Sequence, residues 1–198
     1  MPSKLKTITV FCGASPRVND TFKQYAYNVG KFLAENNIQI IYGGAKVGTM
    51  GMVANGALEN GGKVIGITPR LLCNEEFIHE NLTELIWVDS MYERKLKMET
   101  LSDGFISLPG GYGTLDELFE MLMCGQLGLH QKPVALLNID GFYNSLIAMT
   151  DLMMQTNFLK EDYHDMLIVD DNIFGLLSKM KAYEAPPSKK WVHENEVE

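Results

Sequence analysis

Cysteine is scarce in this chain. Cys12, Cys73 and Cys124 are the only three, too few and too scattered for a disulfide framework, and they point to a reducing compartment. The four histidines, His79, His130, His164 and His193, show no metal-ligand spacing and read as structural residues. No apolar run approaches the ~20 residues of a membrane-spanning helix. The opening MPSKLKTITVFCG passes into a strand-like segment without an apolar leader and small-residue cleavage site. Positive charge is also short, with 17 Lys and Arg against 25 Asp and Glu and a formal net charge of −8. That balance argues against broad nucleic-acid or anionic-membrane binding but leaves room for a small basic pocket. Linkers, repeats and low-complexity tracts are missing as well. These absences predict a soluble, cytoplasmic protein without nucleic-acid or membrane partners.

What is present is a core. Hydrophobic residues fill 46% of 198 positions, enough for one sizeable domain. Apolar runs at 7–12, 38–44, 61–69, 83–89, 104–109 and 132–138 read as strands. They alternate with helix-period segments at 19–36, 49–60, 90–102, 114–128 and 142–156, the first capped by Asn19 or Asp20. A short edge strand over 166–171 and a final helix complete the order. The strands are apolar throughout, the pattern of a parallel sheet covered on both faces. The predicted fold class is therefore α/β: a doubly wound, mostly parallel sheet of about six to seven strands with helices on both faces. One domain spans 1–185, and the proline- and charge-rich tail 186–198 is irregular, with Trp191 a candidate anchor.

In such a sheet, ligands sit beyond the carboxyl ends of the strands, near the point where strand order reverses. Four segments fall there: FCGASP (11–16), YGGAKVGTMG (42–51), SMYERK (90–95) and LPGGYGTLDE (108–117). In the last, Gly110, Gly111 and Gly113 let backbone amides approach an anion. Thr114 then opens a helix whose unpaired first amides and dipole favour negative charge. The same residues also read as a tight turn with Thr114 as cap and Glu117 closing a T-x-x-E capping box. The local pattern leaves both readings open. YGGAKVGTMG is a degenerate glycine loop, because Ala45 stands where the dinucleotide fingerprint has its second glycine. Neither loop carries the lysine of G-x-x-x-x-G-K-[ST]. Arg94 and Lys95 occupy the first turns of a helix, where cations oppose the dipole; this speaks for a functional role, while a solvated basic face shared with Lys97 stays open as the other reading. On the following helix Leu115, Leu118, Phe119 and Leu122 read as the buried stripe, and Asp116 and Glu120 as an exposed face. Glu117 reaches back over the loop, placed to bind ribose hydroxyls or orient a water.

With these residues in view, the chain resembles the Lonely Guy family, the cytokinin riboside 5'-monophosphate phosphoribohydrolases. PGGYGTLDE matches that family's P-G-G-x-G-T-x-x-E signature, and MYERK its M-x-x-R-K element. FCGAS, GGAKVGTMG, GGKVIGITP, QLGLHQKPVALLNIDGFY and KKWV match in order, so the resemblance covers nearly the whole chain. It implies a Rossmann-like fold, a homodimer, and no metal or organic cofactor. It also implies hydrolysis of the N-glycosidic bond of adenine-type nucleoside 5'-monophosphates, AMP or N6-prenylated AMP, to free base and ribose 5-phosphate. By position, Arg94 and Glu117 match the catalytic pair, and Gly111, Tyr112, Gly113 and Thr114 the phosphate loop, with Gly110 carried as a substrate-binding position. Glu76 and Lys95 match substrate contacts, and Gly44, Gly48 and Met91 are carried with them as substrate-binding positions.

Relatives also carry the label lysine decarboxylase, for which no cofactor-bearing lysine context is visible here. The chain departs from the family at four places: Ala45 replaces a glycine, Thr49 a leucine, Met123 a threonine and Cys124 a tryptophan. The last two follow the phosphate loop and leave the preferred base open between adenine and prenylated adenine. The competing reading is a non-catalytic nucleotide-binding sensor or carrier on the same fold. A purely structural protein would need four functional-looking junctions by accident.

Overall fold

Seven apolar segments become the strands of one sheet in the computed structural model, which describes residues 5–72 and 77–187. They are β1 (Thr7–Phe11), β2 (Gln39–Tyr42), β3 (Val64–Pro69), β4 (Glu84–Val88), β5 (Gly104–Ser107), β6 (Val134–Leu137) and β7 (Leu167–Asp170). Every pairing is parallel, and the spatial order is β4-β3-β2-β1-β5-β6-β7. Order reverses between β1 and β5, whose carboxyl ends open the crevice where ligands of such sheets bind.

The helices are α1 (Asp20–Glu35), α2 (Gly48–Leu58), α3 (Met91–Leu101), α4 (Tyr112–Gln126), α5 (Asn144–Gln155), α6 (Glu161–His164) and α7 (Ile173–Ala182). Alternation along the strands divides the core between two faces. Ile8, Val10, Ile40, Tyr42 and Ile106 meet α1, α2 and α7, whereas Phe11, Ile41, Ile67 and Phe105 meet α3, α4 and the α5 region. Asn19 proves to be the α1 cap, its side chain accepting from Thr21 N–H at 2.9 Å. No described helix is long and apolar enough to cross a membrane.

Three details differ from the sequence reading. The turn of helix α6 was not foreseen, being too short to show a period. Helix α4 begins at Tyr112 with Gly111 as its N-cap and no side-chain capping bond. Thr114 is therefore not the cap, and the capping box with Glu117 does not form. Phe119 is exposed, not part of the α4 stripe; the buried side is Thr114, Glu117, Leu118 and Met121. The register shifts because a carboxylate takes a core position, which apolar periodicity cannot reveal.

Cys73, Glu76, Trp191, His193 and the KKWV match lie outside the described residues. Among the described ones, the β3–β4 connection contains a 3-10 turn at Arg70–Leu72. It then folds back onto the loop after β2: Ala45 bridges Ile78, Lys46 N–H donates to Phe77 O at 2.8 Å, and His79 N–H to Gly44 O at 3.0 Å.

Helices α1 and α2 cross at backbone contact. A Cβ at Gly30 would overlap Val53 O, and one at Gly56 would overlap Tyr27 O. Gly30→Ala is therefore expected to lower stability by about 2 kcal/mol through overpacking. Urea unfolding checks this, and a midpoint equal to that of the parent protein would contradict the backbone-contact account.

Candidate active site

The site is assembled by a helix start. Ser90 caps α3, its Oγ accepting from Glu93 N–H at 3.0 Å while Glu93 Oε2 accepts from Asp89 N–H at 2.8 Å. This reciprocal cap fixes the first turn, and Arg94 N–H then bonds Ser90 O at 3.1 Å. The side chain of Arg94 runs inward over the sheet edge. Its Nε donates to Ile67 O at 2.9 Å and its Nη1 to Glu117 Oε1 at 3.1 Å. Arg94 is 6% exposed and Glu117 4%, so the pair is removed from water. The solvated-face reading of Arg94 is thereby excluded. Room for the guanidinium comes from Gly43, where a Cβ would overlap Arg94 Nη2.

Electrostatically the pair is poised. Burial pushes the Glu117 carboxyl up to about 7, against the opposing pull of Arg94. Cys12, at the end of β1, is pushed up to about 12, mainly by burial and then by Glu117. A thiol so hard to ionise is no nucleophile at neutral pH. Lys95 is partly buried, its Nζ bonded to Asp116 Oδ2 at 3.0 Å and paired with Glu120. Burial works against its charge, but those carboxylates outweigh it and raise its pKa. Lys95 thus ties α3 to α4 beside the buried pair.

The β5–α4 loop is held from below and open above. The phenol of Tyr143 donates to Leu108 O at 2.7 Å. A Cβ at Gly110 would overlap Thr114 Oγ1, so this glycine lets the helix pack under its own loop. At Gly111 and Gly113 a Cβ would meet nothing within 4 Å, and Tyr112 projects into solvent. The α4 amino terminus is consequently uncapped and approachable, the arrangement that binds phosphate.

The other glycine loop is built differently. Gly44 and Gly48 both have positive φ, at +85° and +64°. The Gly13 carbonyl fills the α2 amino terminus, accepting from Met50 N–H and Thr49 Oγ1, each at 3.0 Å. Thr49 Oγ1 also accepts from Gly13 N–H at 2.9 Å. Gly48 presses on the backbone of Gly13, Ala14 and Ser15. Of the two loops, only the one before α4 is open to an anion.

The structure thus brings together Arg94, Glu117 and the loop of Gly110, Gly111, Gly113 and Thr114. Met91 starts α3 half-exposed, and Glu76 is outside the described residues. Sequence reasoning missed Gly43, Thr49 and Tyr143 as parts of the site. Their roles depend on partners from other strands, and only the unexplained first glycine of the Gly43–Gly44 pair offered a signal. His79 bonds Asn55, His130 bonds Met121 O and His164 pairs with Asp151. Among the described residues, no three or more His, Cys, Asp and Glu groups stand together to hold a metal.

Comparison with known proteins gives the chain's family. A family profile described as possible lysine decarboxylase matches residues 50–180. A cytokinin riboside 5'-monophosphate phosphoribohydrolase of Arabidopsis thaliana is 40% identical over 182 residues, 92% of this chain and 80% of the relative. A probable one of Oryza sativa subsp. japonica is 38% identical over 196 residues, 96% of this chain and 78% of the relative. The chain belongs to the Lonely Guy family.

Solved structures agree on the Lonely Guy chain's fold. The molybdenum cofactor binding protein of Rippkaea orientalis superposes with a TM-score of 0.69 at 23% identity, covering 90% of this chain and 97% of that one. The molybdenum cofactor carrier protein of Chlamydomonas reinhardtii gives 0.67 at 19%, covering 90% and 98%. At such identities the likeness concerns fold alone.

Gly43 supplies a test of the geometry. Gly43→Ala is expected to displace Arg94 from Glu117 and to reduce turnover at least ~10²-fold, the scale of losing one preorganised charge. Circular dichroism should show the fold retained. Full activity in this variant would contradict the assigned packing.

Proposed function

We propose that this chain hydrolyses the N-glycosidic bond of adenine-type nucleoside 5'-monophosphates, AMP or N6-prenylated AMP, releasing free base and ribose 5-phosphate. The observation that carries the reading is the buried Arg94–Glu117 pair next to an uncapped glycine loop. The phosphate rests on the first amides of α4, and its binding energy orients the ribose over Glu117. As the bond from C1' to the base breaks, the base leaves with the electron pair and positive charge builds on the ribose. The Glu117 carboxylate stabilises that charge and holds the water whose oxygen bonds C1', by analogy with sugar hydrolases. The proton lost by the water balances the one taken up by the base. Arg94 keeps Glu117 oriented and favours its ionised form despite burial.

The test is chromatographic assay of base release from AMP, dAMP and isopentenyl-AMP on one preparation. Glu117→Gln and Arg94→Lys are expected to lose at least ~10²-fold in turnover while melting cooperatively. The Gln variant is preferred to Ala, because truncation would leave a buried guanidinium unpaired. Tight nucleotide binding with no base released would replace this reading with that of a carrier. The ionised carboxylate does the work, and its pKa is raised to about 7. Accordingly kcat/KM should climb with pH through about 7 to a plateau. A profile flat from about pH 5.5 to 8.5 would remove Glu117 from this role.

The reading includes a cytoplasmic homodimer. Tyr92 and Leu96 on α3, with Phe119 and Met123 on α4, are exposed apolar residues on two helices linked by Lys95 and Asp116. Such a surface in a monomer is unfavourable, and a second copy would cover it. Light scattering should give about twice 22.2 kDa, falling to one copy in Phe119→Asp. A monomeric parent protein would refute the dimer.

A further inference from the structure

A nucleoside monophosphate carries a dianion, and the cations nearest the reacting centre are already committed. Arg94 serves Ile67 O and Glu117, and Lys95 serves Asp116 and Glu120. Together these are two cations facing three carboxylates, a poor match for an arriving phosphate. The α4 amides supply dipoles and hydrogen bonds but no full charge.

Beside the open loop lies a cavity of about 250 Å³, between the β1–α1 connection and the β5–α4 loop. Gly13, Ser15, Thr49, Gly110 and Gly111 line it, and so does Arg17. Arg17 is exposed, and it has no ion pair or hydrogen bond to the described residues. No other Arg or Lys lines this cavity. It stands on a connection whose far end is fixed, because the α2 amino terminus grips Gly13 through Thr49 and Met50. A planar guanidinium suits a phosphate, which it can hold by two parallel charge-assisted hydrogen bonds.

We infer that Arg17 is the cationic partner of the substrate's 5'-phosphate, closing over it from the β1–α1 connection while the α4 amides hold it from the opposite side. This inference rests on the proposed nucleotide substrate and extends it to a binding residue with no part in bond cleavage. Neutralisation by an exposed arginine is screened by salt, whereas binding by backbone amides is far less so. The affinity of the phosphate end is thus set by ionic strength as well as by loop shape.

The experiment is titration calorimetry of ribose 5-phosphate, with free adenine as the ligand lacking phosphate, on the parent protein, Arg17→Ala and Arg17→Lys. Loss of a charge-assisted contact should weaken ribose 5-phosphate about tenfold or more in Arg17→Ala. Arg17→Lys should restore part of that affinity, and adenine affinity should not change. The KM for AMP should rise more than kcat falls. The salt dependence of ribose 5-phosphate binding should flatten in Arg17→Ala, a change that a merely structural role would not produce. Affinity within about twofold of the parent, an equal loss for adenine, or no ribose 5-phosphate binding by the parent protein would each overturn the assignment. Binding that depends on Arg17 without any base release would leave this assignment standing and remove the hydrolytic one. Base release with ribose 5-phosphate affinity indifferent to Arg17 would do the reverse.

Discussion

A guanidinium and a carboxylate taken out of water together govern the arrangement of the whole carboxyl edge of the sheet. Burying either Arg94 or Glu117 there alone would be costly, because a buried ion needs a partner and filled hydrogen bonds. Meeting that need requires α3 to start at Met91, Gly43 to lack a side chain, and Ile67 to lend a carbonyl. It also draws a glutamate into the buried stripe of α4, which turns Phe119 outward. Phe119 thus joins the apolar surface of the outer helices as a by-product of accommodating one charge.

The two glycine loops show how similar composition serves different ends. After β2, glycines allow backbone to lie against backbone, and Thr49 closes the joint with a hydroxyl that both gives and accepts. After β5, one glycine makes room for Thr114, and two others leave the space above them empty. Tyr143, from the connection after β6, braces the second loop so that its openness does not become looseness.

Much of this was legible in the sequence. Continuous apolar runs such as TITVF and VALL predicted a parallel sheet, and the order of elements placed four segments at its carboxyl edge. Arg94 stood out as a cation at the wrong end of a helix, and Glu117 followed a loop with more backbone freedom than a turn requires. The choice between cap and phosphate seat was not legible, since it depended on α4 starting at Tyr112 with no side chain over its amides. Contacts between distant segments were likewise invisible. The grip of Thr49 on Gly13 joins residues 36 apart, and nothing local in either one records the other.

The closed amino terminus of α2 has a consequence for orientation. Because the Gly13 carbonyl has taken that position, the helix amides left open in the crevice are those at the β5–α4 loop. A ligand whose dianionic end takes those amides, as proposed above, lies along the crevice in only one direction. Its uncharged end must then travel away from β5, past Glu117, toward Gly43 and the segment that Ala45 and Ile78 stitch down. Under the proposed function, an ordinary backbone carbonyl that stops one helix end would act as the keyway that keeps a nucleotide from entering backwards.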